Sequence, residues 1–268
     1  MTSLQHLLDP LVPLIRVAGE AVMAVYATDF AVTGKADDSP VTEADRRAEA
    51  IITAGLQALA PDVPVVGEEA VAEGRAPVMT AADARFWLVD PVDGTKEFIR
   101  RNGEFTVNIA LVEGGQPVLG LVLAPALGQL YGGGPGLGSW RADAAGRWQP
   151  LACRTEPAAG LTVLGSRSHG DAAALDAFLR GRRVAAVRRA GSSLKLCLLA
   201  AGEADVYPRL GRTMEWDIAA GHAVLAGAGG TVEVLPGGAP LGYGKPGWEN
   251  PHFVAWGRRG PLTSAGRS

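Results

Sequence analysis

Cysteine is almost absent. Cys153 and Cys197 are the only two in 268 residues. They lie far apart with no CxxC spacing, which excludes a disulfide framework and a cysteine zinc site and fits a reducing cytosol. No apolar run approaches the roughly 20 residues needed to span a bilayer. The N-terminus has no basic stretch leading into an unbroken apolar one, so no signal peptide is expected. Positive charge is not in excess either: 25 Lys and Arg stand against 28 Asp and Glu, a net −3. A phosphate polymer demands a basic surface, so nucleic acid is excluded as a general partner. The arginines come as scattered pairs (Arg46 with Arg47, Arg100 with Arg101, Arg188 with Arg189), which read as solvated surface. There is no internal repeat or low-complexity segment. The expectation is a soluble, cytoplasmic protein; its oligomeric state is not legible.

What is present suits a folded enzyme. Apolar residues make up 47% and charged ones 20% of the chain, long enough to bury a substantial core. Leu4, Leu7, Leu8, Leu11, Ile15, Ala18, Val22 and Val25 recur at three- and four-residue steps, predicting a first helix that contains Pro10 and Pro13. A second helix is expected after Thr42, with Thr42 and Asp45 as its capping box. Strands are expected over 63–66, 86–89, 105–112 and 118–123, the last two joined by a hairpin at Gly114-Gly115. The glycine run 132–138 lacks the register of a phosphate loop and reads as a turn. Beyond Leu151 strands and helices alternate: 161–164, 171–179, 184–187, 194–199, 206–207, 218–228 and 231–235. That pattern predicts a mixed α/β (α+β) fold in two halves, 1–150 and 151–268, with a frayed tail after Trp256.

The chemistry concentrates in Trp87-Leu88-Val89-Asp90-Pro91-Val92-Asp93-Gly94-Thr95. An apolar strand runs into two aspartates three residues apart, with a proline between them. Carboxylates forced together repel unless a cation or proton intervenes. Gly94 permits close approach of a ligand and Thr95 adds a hydroxyl. Turn formation alone would also use Asp, Pro and Gly. Glu68 and Glu69 follow another strand; adjacent side chains diverge, so one glutamate at most is a direct ligand. Asp217 and Asp45 sit where helices should begin, and capping would explain either one alone. Together these acids offer only oxygen donors, which suit Mg²⁺ or Mn²⁺ rather than zinc or copper. Paired metals in such a site would promote in-line hydrolysis of a phosphate ester.

The string WLVDPVDGTKEF, with the upstream GEE and the downstream WDIAAGHAVLAGAGG, resembles the lithium-sensitive, magnesium-dependent inositol monophosphatase superfamily. The segments KADDSPVTEAD, DGTKEFIRRNGEFTVNIALVEGG, SRSH, GSSLK and ADVYPRLG are most similar to its CysQ-type 3′(2′),5′-bisphosphate nucleotidases. The glycine of GEE stands where CysQ-type chains have serine, a feature shared with inositol monophosphatases. The resemblance implies the layered α/β/α/β/α sandwich of the inositol monophosphatase and fructose-1,6-bisphosphatase type. It implies two or three Mg²⁺ ions: one held by Glu68, Asp90 and the carbonyl of Val92, another shared by Asp90, Asp93 and Asp217. Thr95 and Asp45, with Glu68 nearby, would orient and deprotonate the attacking water, with no phosphoenzyme. The implied substrate is 3′-phosphoadenosine 5′-phosphate, a by-product of sulfate activation and transfer, with the related phosphosulfate a further one. Its 3′-phosphate would meet Glu68, Val92, Asp93, Gly94, Thr95 and Asp217. His169, Ser192, Lys195 and Arg209 would take the rest of the nucleotide. Inositol monophosphate and other sugar phosphates are the alternative substrates, and peripheral attachment to the inner membrane is a further implication of the resemblance.

Overall fold

The computed structural model describes residues 4–28, 40–77, 85–167 and 172–258, excluding the side chains of residues 40–42. Two helices open the chain, α1 (Leu4–Tyr26) and α2 (Pro40–Leu59). The apolar stripe of α1 is buried as its spacing predicts, while Pro10 and Pro13 lie within the helix on its exposed side. Helix α2 begins at Pro40, so Thr42 lies inside its first turn rather than capping it. Asp45 is therefore a turn further in, and it is buried.

A seven-stranded sheet follows in sequential order. Its strands are β1 (Val65–Gly67), β2 (Arg85–Asp93), β3 (Thr106–Glu113), β4 (Gln116–Ala124), β5 (Gln129–Gly134), β6 (Gly138–Ala142) and β7 (Trp148–Leu151). β1 pairs with β2 in parallel and every later pair is antiparallel. Short helices α3 (Glu68–Ala72) and α4 (Thr95–Ile99) leave the ends of β1 and β2. The glycine run is thus strand at 132–134 and turn only at 135–137. A Cβ at Gly132 would meet the Trp140 ring at 2.3 Å, so the strand needs glycine there for packing, a demand that hydrophobic periodicity does not display.

The second sheet has five strands, ordered β11-β12-β10-β8-β9: β8 (Leu161–Ser166), β9 (Val184–Ala190), β10 (Val206–Arg209), β11 (Thr231–Val234) and β12 (Phe253–Trp256). Among them run α5 (Ala172–Leu179), α6 (Leu194–Ala200) and α7 (Glu215–Gly227).

Strand periodicity explains the layers, because successive side chains face opposite ways. Trp87, Val89, Val107 and Ile109 face α1 and α2. Phe86, Leu88, Ala110 and Val112 face the other way, onto α6, α7 and the inner face of the second sheet. Leu161, Val163 and Val206 on that sheet's outer face pack under α5. The order is α/β/α/β/α. Helix α7 lies very close to the first sheet: a Cβ on Gly120 would stand 2.2 Å from the carbonyl oxygen of Ala220. Any larger residue at 120 would push away the helix that carries Asp217. No helix among the described residues is long and apolar enough to cross a membrane.

Candidate active site

Residues from both sheets and the helices beside them line a cleft of about 520 Å³. Glu68, Asp90, Val92, Asp93 and Asp217 line its acidic end. Gly94, Thr95, Ser192, Lys195 and Arg209 line it as well. His169 lies outside the described residues. Asp45 is not among the cleft's lining residues, but it is near enough to Glu68 and Asp90 for their charges to act on one another.

The three-residue spacing of the aspartates has a backbone cause. On a regular strand it would put them on opposite faces. Here Asp90 pairs with Asn108 but Asp93 pairs with Thr106, so β2 has one residue more than β3 between these two pairs. That bulge returns Asp93 to the face of Asp90, while Val92 points to the opposite core. Gly94 follows at φ 98°, a left-handed conformation suited to glycine. Its αL turn starts α4 with Thr95 at the cleft.

Glu68 is placed by a buried acid that the sequence reading passed over. Both oxygens of Glu49 accept backbone N–H groups at the start of α3, from Glu69 and Ala70, each at 2.9 Å. A Cβ at position 67 would lie 2.5 Å from the Glu49 carboxylate. The glycine of GEE is thus matched to this contact. Asp217 is the third residue of α7, not its N-cap, and its Oδ2 accepts the N–H of Met214 at 2.9 Å.

These acids are crowded, and Asp90 and Asp45 are buried. Burial, then the charge of Glu68 and other neighbours, raises Asp90 well above the usual carboxylate range. Burial, then the charge of Asp93, raises Glu68 to about 7. Burial, then the charge of Asp217, raises Asp93 to about 7. Asp217 is likewise raised to about 7, chiefly by burial, and Asp45 to about 9 by burial and then Glu68. Glu68 lies near enough to Asp90 for its charge to act there. Like charges this close favour a proton or a cation between them. Asp93 Oδ2 accepts the N–H of Ser193 and Asp217 Oδ2 accepts the N–H of Met214; each keeps a second oxygen for a ligand. Among the described residues, no three acidic, histidine or cysteine side chains are already gathered round one point at ligand distance. The arrangement is an open cleft, compatible with Mg²⁺, which keeps several waters and needs few protein oxygens. The donor set fits the ion.

Opposite the acids, Ser192 adopts φ 42°. Four bonds hold its turn: Gly191 N–H to Glu104 Oε2, Ser192 Oγ to Glu104 O, Ser193 N–H to Asp93, and Lys195 Nζ to Ser192 O. Lys195 is buried, not a surface charge, and also donates to Ala190 O at 3.2 Å. Two of its three N–H groups therefore organise this turn. Burial lowers it to about 8, with Asp93 acting against that shift. Arg209 donates to Arg212 O at 2.6 Å, while its buried Nε has no hydrogen-bond partner among the described residues.

A second cavity of about 480 Å³ shares Ser166, Arg209 and Arg212 with the acidic cleft. Ala172, Leu175, Val187, Pro208 and Leu210 give it apolar walls, with Arg189 at its side. The Arg188-Arg189 pair is exposed as read, yet Arg189 also borders this pocket.

Known proteins are similar to this chain in sequence and in fold. The model of the inositol monophosphatase family matches residues 3–256. The 3′(2′),5′-bisphosphate nucleotidase CysQ of Escherichia coli strain K12 is 46% identical over 239 residues, covering 88% of this chain and 94% of that one. The protein of the same name from Buchnera aphidicola is 39% identical over 236 residues, covering 87% of this chain and 86% of that one. The crystal structure of CysQ from Bacteroides thetaiotaomicron superposes with a TM-score of 0.83 at 34% identity, over 97% of this chain and all of that one.

Proposed function

The chain belongs to the inositol monophosphatase family, and from that premise we propose that it is a Mg²⁺-dependent 3′(2′),5′-bisphosphate nucleotidase. The proposed reaction takes 3′-phosphoadenosine 5′-phosphate and water to AMP and phosphate.

The observation that carries the nucleotide reading is the apolar pocket joined to the acidic cleft. A planar base gains from apolar walls, whereas a ring bearing a hydroxyl on nearly every carbon would lose hydrogen bonds to water there. Arg209 stands between the two compartments, where a second phosphate would meet a guanidinium. The names and identities of the relatives support the same substrate.

Glu68, Asp90, Asp93, Asp217 and the Val92 carbonyl would hold Mg²⁺, in two or three positions. Bound there, the ion supplies positive charge to the phosphoryl oxygens and makes water more acidic. The chain's own groups do the rest. Thr95 and Asp45 orient the attacking water, and Asp45 takes its proton, with Glu68 alongside. The water oxygen bonds to phosphorus as the bond from phosphorus to the 3′ oxygen breaks, and the departing oxygen ends as a hydroxyl. Gly94 keeps the approach open. Ser192, Lys195 and Arg209 would hold the remainder of the nucleotide.

Chromatography of the products tests the assignment. AMP as the sole nucleotide product, with release lost in EDTA and reduced by Li⁺, supports it. Adenosine 3′-phosphate as the product contradicts it.

A further inference from the structure

Behind the acidic cluster lies a chain of buried polar side chains to which no role has been given. Thr106, Asn108 and Ser193 are each no more than 3% exposed. The Ser193 hydroxyl donates to Asn108 Oδ1 at 2.7 Å and lies 2.9 Å from Thr106 Oγ1. A serine hydroxyl has one proton. With the Asn108 oxygen facing Ser193, that proton lies on Asn108 and Thr106 donates to Ser193. At its end, the backbone N–H of Ser193 donates to Asp93 Oδ2 at 2.6 Å.

The placement follows from strand pairing. Thr106 stands opposite Asp93 and Asn108 opposite Asp90, and opposite residues of an antiparallel pair share a face about 5 Å apart. Both are polar in a strand whose other positions, from Val107 to Val112, are apolar. Buried hydroxyls and amides are costly unless bonded, so packing alone gives no reason for them.

We propose that Thr106, Asn108 and Ser193 are positioning residues for Asp93, a hydroxyl relay that holds one carboxylate oxygen against the Ser193 turn and keeps the other aimed at the cation. The inference rests on the reading that this cleft holds Mg²⁺. The bulge brings Asp93 to the correct face; the relay then fixes its rotation. Loss of a hydroxyl removes neither Asp93 nor the Ser193 N–H but frees the turn between them to shift. Cation affinity falls first, because a ligand displaced by a fraction of an ångström no longer meets the narrow geometry Mg²⁺ demands.

The test is calorimetric titration of the metal-free full-length protein with Mg²⁺ and no substrate, paired with thermal melts. Thr106→Val keeps the shape and removes the hydroxyl; Ser193→Ala removes the next hydroxyl and retains the backbone N–H. Each variant is expected to bind Mg²⁺ on the order of ten-fold more weakly, within the range such supporting contacts usually show. Substrate KM at saturating Mg²⁺ should stay within about two-fold of wild type, and Thr106→Ser should restore wild-type affinity. Wild-type Mg²⁺ affinity in both Thr106→Val and Ser193→Ala overturns the relay, even if their melting temperatures fall. If one variant fails to fold, the other decides. A wild-type protein that takes up no Mg²⁺ overturns the metal-site reading itself, and the relay with it.

Discussion

The backbone N–H of Ser193 donates to Oδ2 of Asp93 across 2.6 Å, joining residues 100 positions apart. This bond ties the turn ahead of α6 to the end of β2. It makes the acidic cleft a joint product of both sheets. Asp217, arriving on α7, completes the same junction.

The density of acid at this junction gives Asp90→Asn a double signature. Asp90 is 1% exposed and surrounded by Glu68, Asp93, Asp217 and Asp45. Removing its charge relieves repulsion in metal-free protein, so the variant should melt at a higher temperature than wild type in EDTA. The same change would delete one of the proposed cation ligands, and phosphate release should fall by about 10³-fold, the scale of losing a principal electrostatic contact. Paired melting and phosphate-release measurements check both outcomes.

Gly67→Ser tests how Glu68 is placed. The added Cβ falls 2.5 Å from the Glu49 carboxylate that holds the start of α3. Glu49 must withdraw or the backbone must shift, costing about 1–3 kcal/mol by the usual scale of overpacking. Denaturant unfolding should register that loss. The Mg²⁺ concentration for half-maximal activity should rise as Glu68 moves.

His222 makes acid stability predictable. Burial lowers its pKa to about 4, and its Nδ1 lies 2.9 Å from the Tyr243 hydroxyl. Between that value and the ordinary 6.5, the unfolded chain binds a proton that the folded chain refuses. Stability therefore falls with pH across this window and is recovered as pH rises. The drop is about 3 kcal/mol from this group. Urea unfolding at pH 7 and pH 4.5 should show His222→Gln losing less stability than wild type over that interval.

Much of this was legible in the residues themselves. The helix stripe of α1, the strands carrying Trp87 to Val89 and Phe105 to Val112, and the placing of Glu68 and Asp93 at element ends follow from periodicity and charge. The bulge was not: a strand's period of two sets DPVD's aspartates on opposite faces, and only pairing with Thr106 and Asn108 corrects that. Thr106 and Asn108 carried a readable signal, two polar residues at alternate positions of an apolar strand. Ser193 carried none, because its partners lie 85 or more positions away. Glu49 was hidden for a similar reason, its target being the backbone of α3 rather than a side chain. The apolar pocket assembles from α5, β8, β9, β10 and the segment after it, none of which shows that cavity by itself.

The most direct test sets three substrates before one preparation in Mg²⁺: 3′-phosphoadenosine 5′-phosphate, inositol monophosphate and fructose 1,6-bisphosphate. With an apolar compartment beside the acidic cleft, kcat/KM for the nucleotide should exceed the other two by at least about 100-fold, the scale of nearly 3 kcal/mol in transition-state binding. Equal or greater kcat/KM for either sugar phosphate would contradict the account.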